Sequence, residues 1–162
     1  MQTTIVIVTF KSKIIHKCIQ KLCKSFKIII VENSNDKIFK KNIELKYKNT
    51  KCILSGSNLG YARANNIGLK KVKTKFALLI NPDLIISINQ IKKIENYAKG
   101  NKKFSILAPN SNGLSETLTN NFDKCAKKKI SFESLNKILK RKKNIRNRLC
   151  SWLVHVFKRE RY

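Results

Sequence analysis

Acidic side chains are scarce in this chain. Asp and Glu number 9 against 36 Lys and Arg over 162 residues, for a formal net charge of +27. Charge of that size concentrates anionic partners such as nucleic acid, anionic lipid or nucleotide diphosphates, and says nothing about fold. The lysines are spread along the chain, not gathered in one block. A Lys-, Asn- and Ile-rich composition of the kind an AT-rich genome encodes is therefore the plainer explanation. No two of the five cysteines (Cys18, Cys23, Cys52, Cys125, Cys150) stand in a C-x-x-C pair. That excludes a zinc ribbon or thioredoxin-like centre and fits buried free thiols in a reduced, cytoplasmic setting. The N-terminus has no basic n-region and no small-residue cleavage site, so Thr3 to Val8 reads as a first strand and not as a signal peptide. No apolar run is long enough to span a bilayer.

What is present is an alternation. Thr4 to Thr9 is a β-branched run suited to a strand buried on both faces. A helix should follow, capped by Ser12, with Ile15, Cys18, Ile19, Leu22, Cys23 and Phe26 on one stripe. Further strands are expected at Ile28–Val31, Lys51–Leu54, Phe76–Ile80 and Phe104–Ala108. Helices are expected at Ile38–Leu45, Leu59–Val72 and Ile88–Ala98. This order predicts an α/β fold, a mostly parallel sheet covered by helices. Residues 111–162 change character: a polar stretch to Asp123, then a strongly basic segment from Lys124 predicted as helical. Ile138, Ile145, Leu149, Trp152, Leu153 and Val156 lie roughly on one face of it.

Ligands of such sheets bind beyond the carboxyl ends of the strands. Four polar segments fall there: Thr9-Phe10, Glu32 to Asp36, Ser57 to Asn66, and Asn81-Pro82-Asp83. The first strand is followed by Thr9-Phe10-Lys11-Ser12, without the G-x-G-x-x-G of a dinucleotide fold, and no P-loop exists. Phosphates would have to be held otherwise, most simply through a metal on a carboxylate. Asp83, closing an apolar strand after Pro82, offers a hard oxygen ligand for Mg2+ or Mn2+. Alternatively, Asp83 caps the next helix.

Asn58-Leu59-Gly60-Tyr61-Ala62-Arg63-Ala64-Asn65-Asn66-Ile67-Gly68, followed by Leu78-Leu79-Ile80-Asn81-Pro82-Asp83, resembles family 2 glycosyltransferases, especially the rhamnosyltransferase-like branch. Ile5 to Phe10 and Ile28 to Asp36 match the same family in order and spacing, and the resemblance covers about residues 1–110. It implies a GT-A, Rossmann-like sheet and an inverting transfer of sugar from a nucleotide-diphosphate sugar to a saccharide or lipid-linked acceptor. By the same resemblance Thr9 lies against the base, Glu32 stands where the family usually has Asp and binds base or ribose, and Asp36 supports that loop. Asn58, Arg63 and Asn66 line the nucleotide pocket, and Gly60 lets the backbone approach. Asn81-Pro82-Asp83 takes the D-x-D position, with Asp83 on the metal and Asn81 on the ribose or the metal shell. The competing readings are a surface arginine for Arg63, a turn or cap for Asn65 and Asn66, and a helix cap for Glu32.

An inverting transfer needs a general base for the acceptor hydroxyl. Beyond Pro109 the acids are Glu116, Asp123, Glu133 and Glu160, none in the family's acidic context. No base is named, and the chain is expected to be truncated or diverged after about residue 125. Ser151 to Phe157 matches an acceptor-side strand poorly. His16 is expected at the surface, and His155 in a packing or interfacial role. The basic tail is read as a peripheral contact with an anionic membrane at its inner face, or as an ordinary packed helix or basic tail. Two other functions compete: a fragment that only binds nucleotide sugar, and a nucleic-acid-binding protein. The charge supports the latter, but no specific motif or stacking platform does.

Overall fold

The computed structural model describes residues 1–101, Phe104, 106–107 and the backbone of 155–158. The expected alternation is present: β1 (Thr3–Thr9), α1 (Ile15–Leu22), β2 (Lys27–Glu32), α2 (Lys37–Lys46), β3 (Thr50–Leu54), α3 (Gly60–Lys70), β4 (Phe76–Ile80), α4 (Ile88–Gly100), β5 (Ile106–Leu107) and β6 (His155–Lys158). The sheet order is β3-β2-β1-β4-β6-β5. The first four of these strands are parallel, while β6 runs antiparallel to both β4 and β5. This is the mostly parallel, Rossmann-like sheet of the GT-A class.

Every residue of β1 is buried because helices cover both faces of the central strand. Period-two alternation then sorts the side chains onto two faces. Ile5, Ile7, Ile28, Ile30, Leu78 and Ile80 meet Ile15, Ile19 and Leu22 of α1, Ile43 of α2 and Ile91 and Ile94 of α4. The other face carries Val6, Val8, Ile29, Val31, Ala77 and Leu79 and is closed by α3. That helix comes very close. A Cβ on Gly68 would sit 2.5 Å from Val6 Cγ1 and 3.2 Å from Val31 Cγ2, so only glycine fits there.

Two expectations are corrected. Residues 155–158 are strand, not helix. Val156 and Phe157 favour a pleated surface, and pairing with β4 satisfies backbone groups that would otherwise be left along that edge. The remainder of the predicted basic helix, including Ile138, Ile145, Leu149, Trp152 and Leu153, lies outside the described residues. Ser12 does not cap α1. The chain takes a left-handed step at Lys11 (φ 50), the helix starts only at Ile15, and its N-cap Ile14 makes no side-chain bond. No helix among the described residues is long and apolar enough to cross a membrane.

Candidate functional site

At the carboxyl ends of β1 and β4 and the entrance to α3 lies an open cleft of about 590 Å³. Of the expected site residues, Thr9, Asn58, Gly60, Asn81 and Asp83 line it, joined by Phe10, Ser12, Ile14, Asn33 and Tyr61. Glu32, Asp36, Arg63 and Asn66 are not in its wall.

The Asn81-Pro82-Asp83 segment is a β-turn closed by the Leu84 N–H donating to the Asn81 carbonyl (3.2 Å). Asn at the first corner and Pro at the second suit such a turn. The turn lifts Asp83 out of the sheet, where it is exposed and makes no hydrogen bond or ion pair among the described residues. The alternative of a helix cap is excluded. Helix α4 is capped by Ser87, in a reciprocal capping box with Gln90. The Asp83 charge is felt beneath the turn. Burial first, and then that charge, push the Cys18 thiol up to about 12, with its Sγ 4.0 Å from the Asn81 carbonyl oxygen.

The opposite wall is held by two asparagines. Asn33 Nδ2 donates to Asn58 Oδ1 (3.0 Å), and the Gly60 N–H donates to that same oxygen (3.1 Å). Asn33 Oδ1 accepts from the Leu59 N–H (3.1 Å). Backbone donors at the start of α3, which have no partner within the helix, are thereby satisfied. Gly60 takes φ +74, a left-handed conformation that lets the chain turn into α3 beside the cleft. Thr9, 2 % exposed, is one of the lining residues, and its hydroxyl oxygen is buried with no hydrogen-bond partner among the described residues. An orphaned buried hydroxyl is costly unless a ligand or water meets it.

Glu32 behaves differently. It is 1 % exposed, and its carboxylate accepts from the Ser34 N–H (2.9 Å), the Ser34 hydroxyl (2.7 Å), the Asp36 N–H (2.9 Å) and, at 3.5 Å, the Lys11 N–H. Asp36 in turn caps α2, its Oδ1 accepting from the Phe39 N–H at 2.9 Å. Arg63 is exposed on α3, and Asn66 is half-buried there. Asn65 is buried and bonds the Tyr61 carbonyl (3.0 Å). His16 is half-buried, not fully at the surface, with Nδ1 3.1 Å from the Tyr47 hydroxyl.

Sequence reasoning passed over Asn33 and Tyr61 as site residues. Both stand inside the quoted motifs. The signal for Tyr61 is its place directly after Gly60, at the mouth of the cleft.

The family model described as Glycosyl transferase family 2 matches residues 4–160. The chain belongs to this family. Among solved structures, it is similar in fold to S. aureus TarS 1-349, at 19% identity over 72% of this chain and 38% of that one, with a TM-score of 0.56. The complex of that fragment with UDP matches at 18% identity, with the same coverage and TM-score. The mannosyltransferase PcManGT from Pyrobaculum calidifontis, in complex with GDP-Man and Mn2+, matches at 10% identity over 67% of this chain and 35% of that one, TM-score 0.55. This chain therefore spans well under half of the length of these structures. No curated protein matches its sequence.

Among the described residues lining the cleft, Asp83 alone offers a carboxylate, the hard oxygen donor a divalent cation takes. No group of three His, Cys, Asp or Glu side chains comes together among the described residues. Asp83 would then be the protein carboxylate, with phosphate oxygens and water completing the shell, which is how Mg2+ is commonly bound.

Proposed function

We propose that this chain is the donor-binding part of a glycosyltransferase that takes a nucleotide-diphosphate sugar in the cleft between β1, α3 and the Asn81-Pro82-Asp83 turn. The observation that carries this is the exposed carboxylate of Asp83, unpartnered among the described residues, in one cleft with Thr9, Asn58 and Gly60 on a family 2 sheet. Asp83 would hold Mg2+ or Mn2+, which would supply charge neutralisation for the diphosphate as it leaves. The unpartnered Thr9 hydroxyl supplies a hydrogen bond to the nucleoside. Glu32 and Asp36 act one step removed, by shaping the loop that carries Asn33. Arg63 and Asn66 contact the nucleotide only if α3 or the ligand brings them toward the cleft.

The transfer proposed is inverting, to a saccharide or lipid-linked acceptor in polysaccharide biosynthesis. The N-P-D form of the metal turn makes dTDP-rhamnose the first donor to try. Residues 1–110 form the donor half in this reading, and 111–162 belong to the acceptor side. The setting is cytoplasmic, with the basic tail as a peripheral membrane contact. A second reading, a chain that binds the donor without turning it over, is favoured by one observation: Asp83 is the only carboxylate among the described residues that line the cleft.

Calorimetric titration with UDP-sugars and dTDP-rhamnose, with Mn2+ present and then chelated, tests the proposal. Metal-dependent binding that disappears in Asp83→Ala supports it. Absence of binding under every condition sinks it. Release of nucleoside diphosphate in the presence of acceptor separates turnover from binding alone.

A further inference from the structure

We propose that Tyr61 is a positioning residue for Asn81: its phenol engages the amide oxygen, so that Asn81 presents its NH2 group to the ligand as a hydrogen-bond donor. This deepens the donor-site reading and rests on it.

The Tyr61 hydroxyl donates to Asn81 Oδ1 at 2.9 Å, linking the first turn of α3 to the end of β4 across the cleft. Both residues line the cleft, and Tyr61 is 42 % exposed there, so its ring forms part of the mouth. The Asn81 backbone is fixed separately, by the Leu84 N–H on its carbonyl. What remains free is rotation of the amide, which carries one oxygen acceptor and two N–H donors. With the phenol proton on the oxygen, the face turned to the remaining space is the donor face. That suits an oxygen of a sugar or diphosphate better than a cation, and it leaves Asp83 to take the metal alone. Burial, together with the Asp83 charge and against a hydrogen bond from Asn65, raises the Tyr61 phenol above its usual range. Tyr61 therefore stays a proton donor throughout neutral pH.

The test is a double-mutant cycle on the full chain, read by calorimetric titration with UDP in the presence of Mn2+. Tyr61→Phe keeps the ring and removes only the hydroxyl. Loss of a hydrogen bond at each site should weaken UDP binding about fivefold in Tyr61→Phe and about tenfold in Asn81→Ala. The double variant should be no weaker than Asn81→Ala, because coupled residues are not additive. Asn81→Ser provides the same comparison if the alanine variant folds poorly. Losses that simply multiply, or wild-type affinity in Tyr61→Phe, overturn the positioning role while leaving the donor site standing. A wild-type chain that binds neither UDP, GDP nor dTDP, with or without Mn2+, overturns both.

Discussion

Two carboxylates end the strands that flank β1, and the fold treats them in opposite ways. Glu32, closing β2, is buried and accepts from the backbone of Ser34, Asp36 and Lys11 and from the Ser34 hydroxyl. Asp83, just past β4, stands exposed on a turn with no bond among the described residues. The difference follows from the chain around each. After Glu32 the loop folds back over the carboxylate, with Asn35 in the left-handed region (φ 63) between two residues whose N–H groups point at it; Lys11 (φ 50) approaches from the neighbouring loop. Such non-glycine conformations persist only where the surroundings fix them. After Ile80 the rigid Pro82 turn carries Asp83 to a position where it bonds no donor among the described residues. One carboxylate therefore holds loops, and the other stands exposed, open to the metal proposed for it.

The largest effect should come from Asp83→Ala. Metal-dependent nucleotide binding should vanish, while stability shifts by no more than about 0.5 kcal/mol, as for an exposed residue; calorimetry and urea unfolding on the same sample check both halves. Glu32→Ala should do the reverse. Removing a buried acceptor shared by four part-buried hydrogen bonds should cost about 3 kcal/mol of stability, seen in denaturant unfolding, and affinity should fall only as far as the loops loosen. Gly68→Ala touches neither carboxylate and serves as the pure packing control. Its Cβ must displace Val6, so about 2 kcal/mol of stability should be lost, with Kd for UDP little changed.

The smallest effect sharpens the same contrast through two thiols. Cys18 is raised by burial and then by Asp83, while Cys52 is raised by burial and then mainly by Glu44, with Glu32 contributing less; both reach about 12. The folded chain holds these protons longer than the unfolded chain, whose thiols titrate near 9.0. Their stabilising contribution is thus complete below pH 9 and is lost as pH rises from about 9 to about 12. Asp83→Asn should lower the Cys18 thiol and speed its alkylation at high pH, leaving Cys52 unchanged. Equal rates in the two proteins would remove the electrostatic link between Asp83 and Cys18.

The parallel sheet was legible in the sequence because its strands are short and mostly apolar, with β-branched runs in β1 and β2. Phe76–Ile80 is bounded on both sides by polar punctuation and falls where the pattern puts it. The convergence of Thr9, Asn58, Gly60, Asn81 and Asp83 followed from parallel topology, which sends all those segments to one end of the sheet. What the sequence hid was hydrogen bonding between distant residues. Nothing local says that Asn33 bridges to Asn58, or that Tyr61 reaches Asn81. Nor does it say that Glu32 turns back on its own loop. Likewise His155–Lys158 reads first as part of a basic helix, with Ser151 to Phe157 only a poor match to an acceptor-side strand. Its strand state depends on partners more than 70 residues away, at Phe76–Leu79.

The division of labour between the two carboxylates is tested most directly by electron paramagnetic resonance of Mn2+, titrated into the protein with UDP present. The signal of free Mn2+ should be depleted by the wild-type chain and by Glu32→Gln alike, and should remain undiminished with Asp83→Ala. Mn2+ held equally well by Asp83→Ala, or lost in a folded Glu32→Gln, would contradict the assignment of the metal to Asp83.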